Sequence, residues 1–407
     1  MNKLKVRLYG GIIVFVATIH PLVDHVIYSA ILLFLFAILI TKNRWKLPHA
    51  SMTLIAPLSL ILLLGLLNGV LKYPAADFLK DVYLHGRPII VILFAVALGG
   101  GAKLGGNEYI KYLVMSGLIS SFIHFVEIIS IPGFINMSVQ ELRVHTNLSS
   151  WIEVLALGVI LFAKGKVSEI GGWLQKYRMI FIVVLLISIF MYGSRSMLLN
   201  FLLIFVFLNH NLLTGRNFLY FLVACFLVAG FLLSPNVKNS ESSIGRFYEK
   251  LEKSKDELFA TGELTKAEIN TQWRGYEARE AIEQTVASGY YAIFMGSGYG
   301  SLLDLGMYQK LGDEDFRYIP KIHNGFVQLF FKVGIVGVVI YVYFLYSLSA
   351  AISRVNDPVV VRICRSQVAA LFLSTFTISG VYNYITVDLV VIFIILSIYM
   401  SSSKVRV

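Results

Sequence analysis

One feature constrains this chain more than any other: runs of roughly 15–22 apolar residues follow one another along almost its whole length. A helix rises about 1.5 Å per residue and the hydrocarbon layer is about 30 Å thick, so such runs are what a bilayer demands of a crossing helix. Composition agrees, with 57% hydrophobic and 14% charged residues among 407 and a mean hydropathy of +0.74. A water-soluble core could not hide that much apolar surface. The expected fold is all-α, a polytopic integral membrane helical bundle of about a dozen spans.

Spans are predicted near 8–20, 22–40, 51–69, 87–101, 110–131, 148–163, 178–194, 196–209, 216–234, 323–349, 366–382 and 386–402. The first pair is short and broken by His20-Pro21, so it reads either as two spans or as a re-entrant or tilted hairpin. The chain then divides into transmembrane helices over 1–234, a long polar outer loop with short helices over 235–322, and three further spans over 323–407.

Short loops rich in lysine and arginine stay on the cytoplasmic side. With the N-terminus (Lys3, Lys5, Arg7) inside, alternate loops carry Lys42, Arg44 and Lys46, then Lys164, Lys166, Lys176 and Arg178, then Arg354, Arg362 and Arg365, with Lys404 and Arg406 at the end. The opposite short connections hold almost no basic residue except Arg195. The formal charge of +11 is thus explained largely by membrane orientation, and no aromatic–basic motif points to nucleic acid. No cleavable signal is evident after the basic start, so the first span reads as retained. Cys225 and Cys364 are poorly placed to pair.

The pattern breaks at Pro235 to Ile322, where hydrophobicity collapses. Loops this long between packed helices are usually functional or disordered. Arg246 to Phe259 and Thr271 to Ala287 read as helices within it, and Gly289 to Gly306 as a glycine- and tyrosine-rich connector. On a wheel of 100° per residue, Arg274 shares a stripe with Ala278, Ala281 and Thr285 and so points inward with the small residues. Arg279 lies toward the polar side, within reach of Glu283 as a surface pair.

Three further features belong to the same outer surface. Tyr192-Gly193-Ser194-Arg195-Ser196 is a tight hairpin between spans, Gly296-Ser297-Gly298-Tyr299-Gly300 a glycine run, and His323-Asn324 opens the next span, nine residues ahead of Gly334-Ile335-Val336-Gly337. Singly, such residues have ordinary explanations: an interfacial arginine reaches lipid headgroups and a histidine caps a helix. In this order and spacing, over about 190–345, the sequence resembles the O-antigen polymerase and ligase superfamily of bacterial glycan assembly. The resemblance implies a multi-span protein of the inner membrane with its active face periplasmic. Its implied substrates are polyprenyl-pyrophosphate-linked glycans, as donor and acceptor, with membrane lipid and a chain-length regulator protein as partners.

The resemblance assigns Arg195 and Arg274 to the pyrophosphate, His323 to the acceptor hydroxyl and Asn324 to positioning it. Arginine suits a phosphate because its planar fork stays charged and pairs with two oxygens, and histidine moves protons near neutral pH. Arg87, Arg279 and Tyr299 are further candidates for substrate binding. Arg87, Lys80 and Arg143 read either as cations widening the anionic site or as interfacial residues at the outer face. No cofactor and no metal is expected: H-E-x-x-H is absent, and Asp313-Glu314-Asp315 reads as a solvated loop. Buried Glu127, Glu153, Asp388 and Lys332 are expected to pair between helices. The expected reaction is inverting polymerisation of lipid-linked repeat units, with ligation to lipid A-core as runner-up. A glycolipid flippase is the third reading, disfavoured because no repeated halves are visible.

Overall fold

The computed structural model describes residues 3–43, 51–102, 104–137, 141–142, 146, 151–170, 172–192, 194–209, 269, 272–311 and 314–400. The predicted span 216–234 and the predicted helix Arg246 to Phe259 lie outside them, as do Arg143 and Cys225.

The first half of the chain forms α1 (Lys3–Ile19), α2 (His25–Lys42), α3 (Met52–Gly69), α4 (Ala75–Ala102), α5 (Gly106–Ser130) and α6 (Trp151–Phe162). Two short helices, α7 (Lys164–Ile170) and α8 (Gly172–Lys176), lead into α9 (Arg178–Tyr192) and α10 (Arg195–Leu208). Next among the described elements come α11 (Trp273–Ala287), α12 (Tyr290–Met295), a hairpin of β1 (Leu303–Leu311) and β2 (Glu314–Ile319), then α13 (Gly325–Ile352), α14 (Pro358–Thr377) and α15 (Tyr384–Ile398). Six of these helices (α2, α3, α4, α5, α13 and α14) are long and apolar enough to cross a membrane, and α6, α9, α10 and most of α15 are shorter apolar helices beside them. The architecture is the expected all-α polytopic bundle.

Packing places the two halves of the chain against each other. α13 lies on α3, α15 on α4, α10 on α14, and α5 on α6. One apolar core runs through all of these helices. A second, small core of Ile269, Tyr276, Ala281, Leu303, Leu305, Ile319, Ile322 and Phe331 seats α11 and the hairpin on the start of α13. Lys166 reaches Asp357 at 3.1 Å, joining two loops that the charge pattern puts on one side. That end is called the opposite end below, and the other the loop-bearing end.

Two elements differ from expectation. α4 begins at Ala75 rather than near 87, because Asp81, His85 and Arg87 are buried inside the bundle with polar partners rather than solvated in a loop. A hydropathy reading counts them as polar, whereas the fold pairs Asp81 with Lys332 and Arg87 with Asp388 and stacks His85 on Tyr299. The predicted connector 289–306 contains α12 and the start of an antiparallel hairpin paired from Leu303↔Ile319 to Leu311↔Glu314. Leu303 and Leu305 alternate onto the small core while Asp304 faces Arg317 at 2.9 Å, a period of two that marks a strand. Asp304 is tied to α11 as well: its backbone N–H donates to Gln284 Oε1 at 3.2 Å, and Gln284 Nε2 donates back to its carbonyl.

Candidate functional site

The site grows from the way α13 begins and breaks. Asn324 caps it, Oδ1 accepting from the backbone N–H of Phe326 and Val327 at 3.1 and 3.2 Å. Gly325 N donates to the carbonyl of Ile378 at 2.8 Å, so α14 ends where α13 starts. At Gly334 the helix breaks, with φ +68° and ψ −171°. A Cβ there would stand 2.2 Å from the carbonyl oxygen of Phe294, so the close approach of α12 as well as the dihedral requires glycine.

The break releases carbonyls that the helix would otherwise use, and the glycine run takes them. Ser297 N donates to Phe331 O and Gly298 N to Lys332 O, both at 2.9 Å. Gly300 N donates to Asp81 Oδ2 at 2.7 Å, and Lys332 Nζ closes on the same oxygen at 2.6 Å while also donating to the Ser301 carbonyl. The segment 296–301 is therefore clamped between α3, α4 and α13. Tyr299 is the plug of this clamp: its N–H bonds Gly65 O at 3.0 Å, its hydroxyl bonds Ile61 O at 3.3 Å and its ring stacks on His85 at 4.5 Å.

Above the clamp, α11 brings a carboxylate to His323. Glu277 Oε2 accepts from His323 Nδ1 at 2.8 Å and from the His323 backbone N–H at 3.2 Å. The Glu277 side chain is 2% exposed and that of His323 is 47% exposed, so one partner is sealed and the other faces outward. With Nδ1 occupied, Nε2 is the ring nitrogen left for a substrate. Arg274 lies one turn before Glu277 on the same helix, half-buried.

Arg195 reaches the same end by another route. Arg178, at the start of α9, donates to Ile160 O near the opposite end, and the fifteen residues of α9 carry the chain across to Tyr192. There Tyr192 Oη donates to Glu153 Oε1 at 2.9 Å, with Ser120, Ser121 and Ser188 donating to the same carboxylate. This buried nest anchors the end of α9, and Arg195 opens α10 three residues later, half-buried. Arg195, Arg274 and His323 thus share the loop-bearing end, with Arg274 and His323 joined through α11.

The other candidates fall elsewhere. Arg87 is buried in α4, where its guanidinium pairs with Asp388 of α15 and its Nε donates to Ser29 at 3.2 Å. Arg279 pairs with Glu280 at 3.4 Å and with Glu283 at 3.8 Å, as the spacing predicts, and covers the Tyr276 ring. Asn324 spends Oδ1 on its cap, so a substrate contact from it would come from Nδ2. Lys80 is exposed on the first turns of α4. Asp315 of the run Asp313-Glu314-Asp315, which has D-x-D form, is exposed on β2. The expected interhelical pairing holds for Lys332, Asp388 and Glu153.

Sequence reasoning missed Glu277, Asp81 and Lys321. The only signal for Glu277 was its place one turn after Arg274, on the helix face read as small and apolar. Burial pushes the Lys321 ammonium below the usual lysine value, with Glu277 opposing that shift and Lys80 adding to it. Lys321 stands two residues before His323 and interacts electrostatically with Glu277. A cavity of about 640 Å³ lined by Val206, Phe207, Pro358, Arg362 and Arg365 lies at the opposite end. It is remote from this chemistry.

Residues 180–342, from α9 into α13, match the family model of O-antigen ligase. Over this stretch the chain is similar to the O-antigen polymerase and ligase superfamily. No curated protein matches the chain. The matched stretch contains Arg195, Arg274, Glu277, His323 and the Gly334 break, whereas Asp81, His85 and Arg87 fall outside it.

Proposed function

We propose that the protein is a surface-polysaccharide polymerase that joins polyprenyl-pyrophosphate-linked repeat units at the periplasmic face of the bacterial inner membrane. The observation that carries the reading is His323 held by a buried carboxylate on the helix that also bears Arg274, all within the matched domain. An acceptor sugar hydroxyl attacks the anomeric carbon of the donor. The new C–O bond forms on the face opposite the leaving group, so the centre inverts. The bond from that carbon to the pyrophosphate oxygen breaks and its electron pair leaves with the polyprenyl pyrophosphate. The hydroxyl proton passes to His323 Nε2.

Arg195 and Arg274 stabilise the negative charge that grows on the pyrophosphate, where preorganised cations are most effective. Asn324 fixes the start of α13 and with it His323. The lipid tail of each substrate lies in the bilayer beside the bundle, which suits a site at the end of crossing helices. Ligation of a finished glycan to lipid A-core is the second reading, favoured by the description of the matched family, and it would use the same residues.

Deletion of the gene separates them. The polymerase reading expects lipid A-core carrying a single repeat unit, seen as one short band. Bare core with long chains retained on polyprenyl pyrophosphate would assign the protein to ligation.

A further inference from the structure

We infer that Glu277 is the positioning residue for His323, fixing which ring nitrogen acts as base and supplying the charge that holds the proton once taken. The inference rests on the reading of His323 as the base. One oxygen, Glu277 Oε2, accepts both the His323 backbone N–H and Nδ1. A backbone amide can only donate, so the atom at that place must be an acceptor. Nδ1 on the same acceptor therefore carries its hydrogen, and the neutral ring has its lone pair on Nε2. The half-exposed side chain presents that lone pair away from the sealed carboxylate.

Charge follows from the same geometry. When Nε2 takes the acceptor proton, the ring becomes a cation 2.8 Å from a buried carboxylate. The carboxylate side of the pair is sealed from water, where an attraction is stronger than between two exposed groups. Lys321 also feels the Glu277 charge, and burial holds its ammonium below its usual value. A buried carboxylate that served only as a helix brace would need the backbone N–H alone, and the ring contact is what a proton-handling role adds.

The variants separate geometry from charge. Glu277→Gln can keep an oxygen acceptor for both donors while losing the charge, Glu277→Asp keeps the charge on a shorter arm, and Glu277→Ala loses both. Protein purified into nanodiscs is given the polyprenyl-linked glycan fraction extracted from its host's membranes, and rates are measured over a range of that fraction. Glu277→Gln is expected to lower kcat by about 10²- to 10⁴-fold with KM within about threefold, Glu277→Ala to lower it at least as far, and Glu277→Asp to recover part of the loss.

Added to His323→Ala, Glu277→Gln should cost nothing further, because its effect acts through the missing ring. Imidazole in solution should restore some rate to His323→Ala and none to the double variant. Wild-type kcat in Glu277→Gln beside an inactive His323→Ala would overturn the positioning role and leave the proposed function standing. A fully additive loss in the double variant would also overturn it, showing a structural brace. An active His323→Ala would overturn the proposed function itself, and the positioning role with it.

Discussion

Two acid–base pairs sit along one helix, His323 with Glu277 just ahead of α13 and Lys332 with Asp81 two and a half turns further on. In the second pair both side chains are sealed, at 1% and 2% exposed. In the first, the acid is sealed and the base is open. Lys332 and Asp81 are also bound by the glycine run, through Ser301 and Gly300. With both side chains sealed, that pair faces the protein rather than a substrate. The comparison teaches that one helix carries two different uses of charge: an inner pair that holds the loop onto the bundle and an outer pair that can exchange a proton with something outside.

The largest effect expected is therefore structural and falls on the sealed pair. Lys332→Met leaves the Asp81 carboxylate buried without its counter-charge and should cost about 3–5 kcal/mol, enough to remove most folded protein from detergent-extracted membranes. Adding Asp81→Asn should restore much of the yield, because asparagine still accepts from Gly300 without a buried charge. Equal yield for Lys332→Met and wild type, read by size-exclusion chromatography, would break the distinction between the pairs.

The open pair should behave in the opposite way. His323→Ala is expected to fold and insert normally while glycan transfer falls by about 10²- to 10⁴-fold. Arg195→Ala and Arg274→Ala should each raise the barrier by about 2.7–4 kcal/mol, whereas Arg279→Ala, occupied with Glu280 and Glu283, should keep most activity. Equal loss at Arg279 would show that the polar face of α11 also meets substrate.

The all-α bundle itself was legible in the sequence, because apolar run length is a direct consequence of a bilayer. Arg195, Arg274 and His323 were legible as a pattern of spacing, and the fold carries all three to one end. Glu277 was not, since its partner lies 46 residues away and nothing local announces the contact. The same holds for Asp81 and Lys332, which are 251 residues apart. The glycine run read as part of a connector and of the family pattern, and its structural task, capping the Phe331 and Lys332 carbonyls ahead of the Gly334 break, was not visible in the sequence. The hairpin had a local signal in the alternation from Leu303 to Leu305, obscured by the glycine and tyrosine content around it.

The smallest effect concerns that hairpin. Hydrogen bonds from Arg317 hold the Asp304 carboxyl below its ordinary value of 3.8. A depressed carboxyl stabilises the fold above the ordinary value, and that contribution fades as pH falls through its own lower value. Backbone amides of β1 and β2 should thus lose exchange protection below about pH 3.8, after correction for intrinsic rates, and Arg317→Met should remove the pH dependence. Protection unchanged by acid would make the pair a surface contact without consequence.

Bond formation at the loop-bearing end is what distinguishes a polymerase from a protein that only moves its lipid-linked glycan. The direct measurement gives the purified protein, in a defined bilayer, the polyprenyl-pyrophosphate-linked glycan fraction of its host and follows both lipid and glycan by mass spectrometry. A polymerase produces glycans lengthened by whole repeats, still on polyprenyl pyrophosphate, with one polyprenyl pyrophosphate released per new bond. Movement of the lipid-linked glycan across the bilayer with no new glycosidic bond would contradict it.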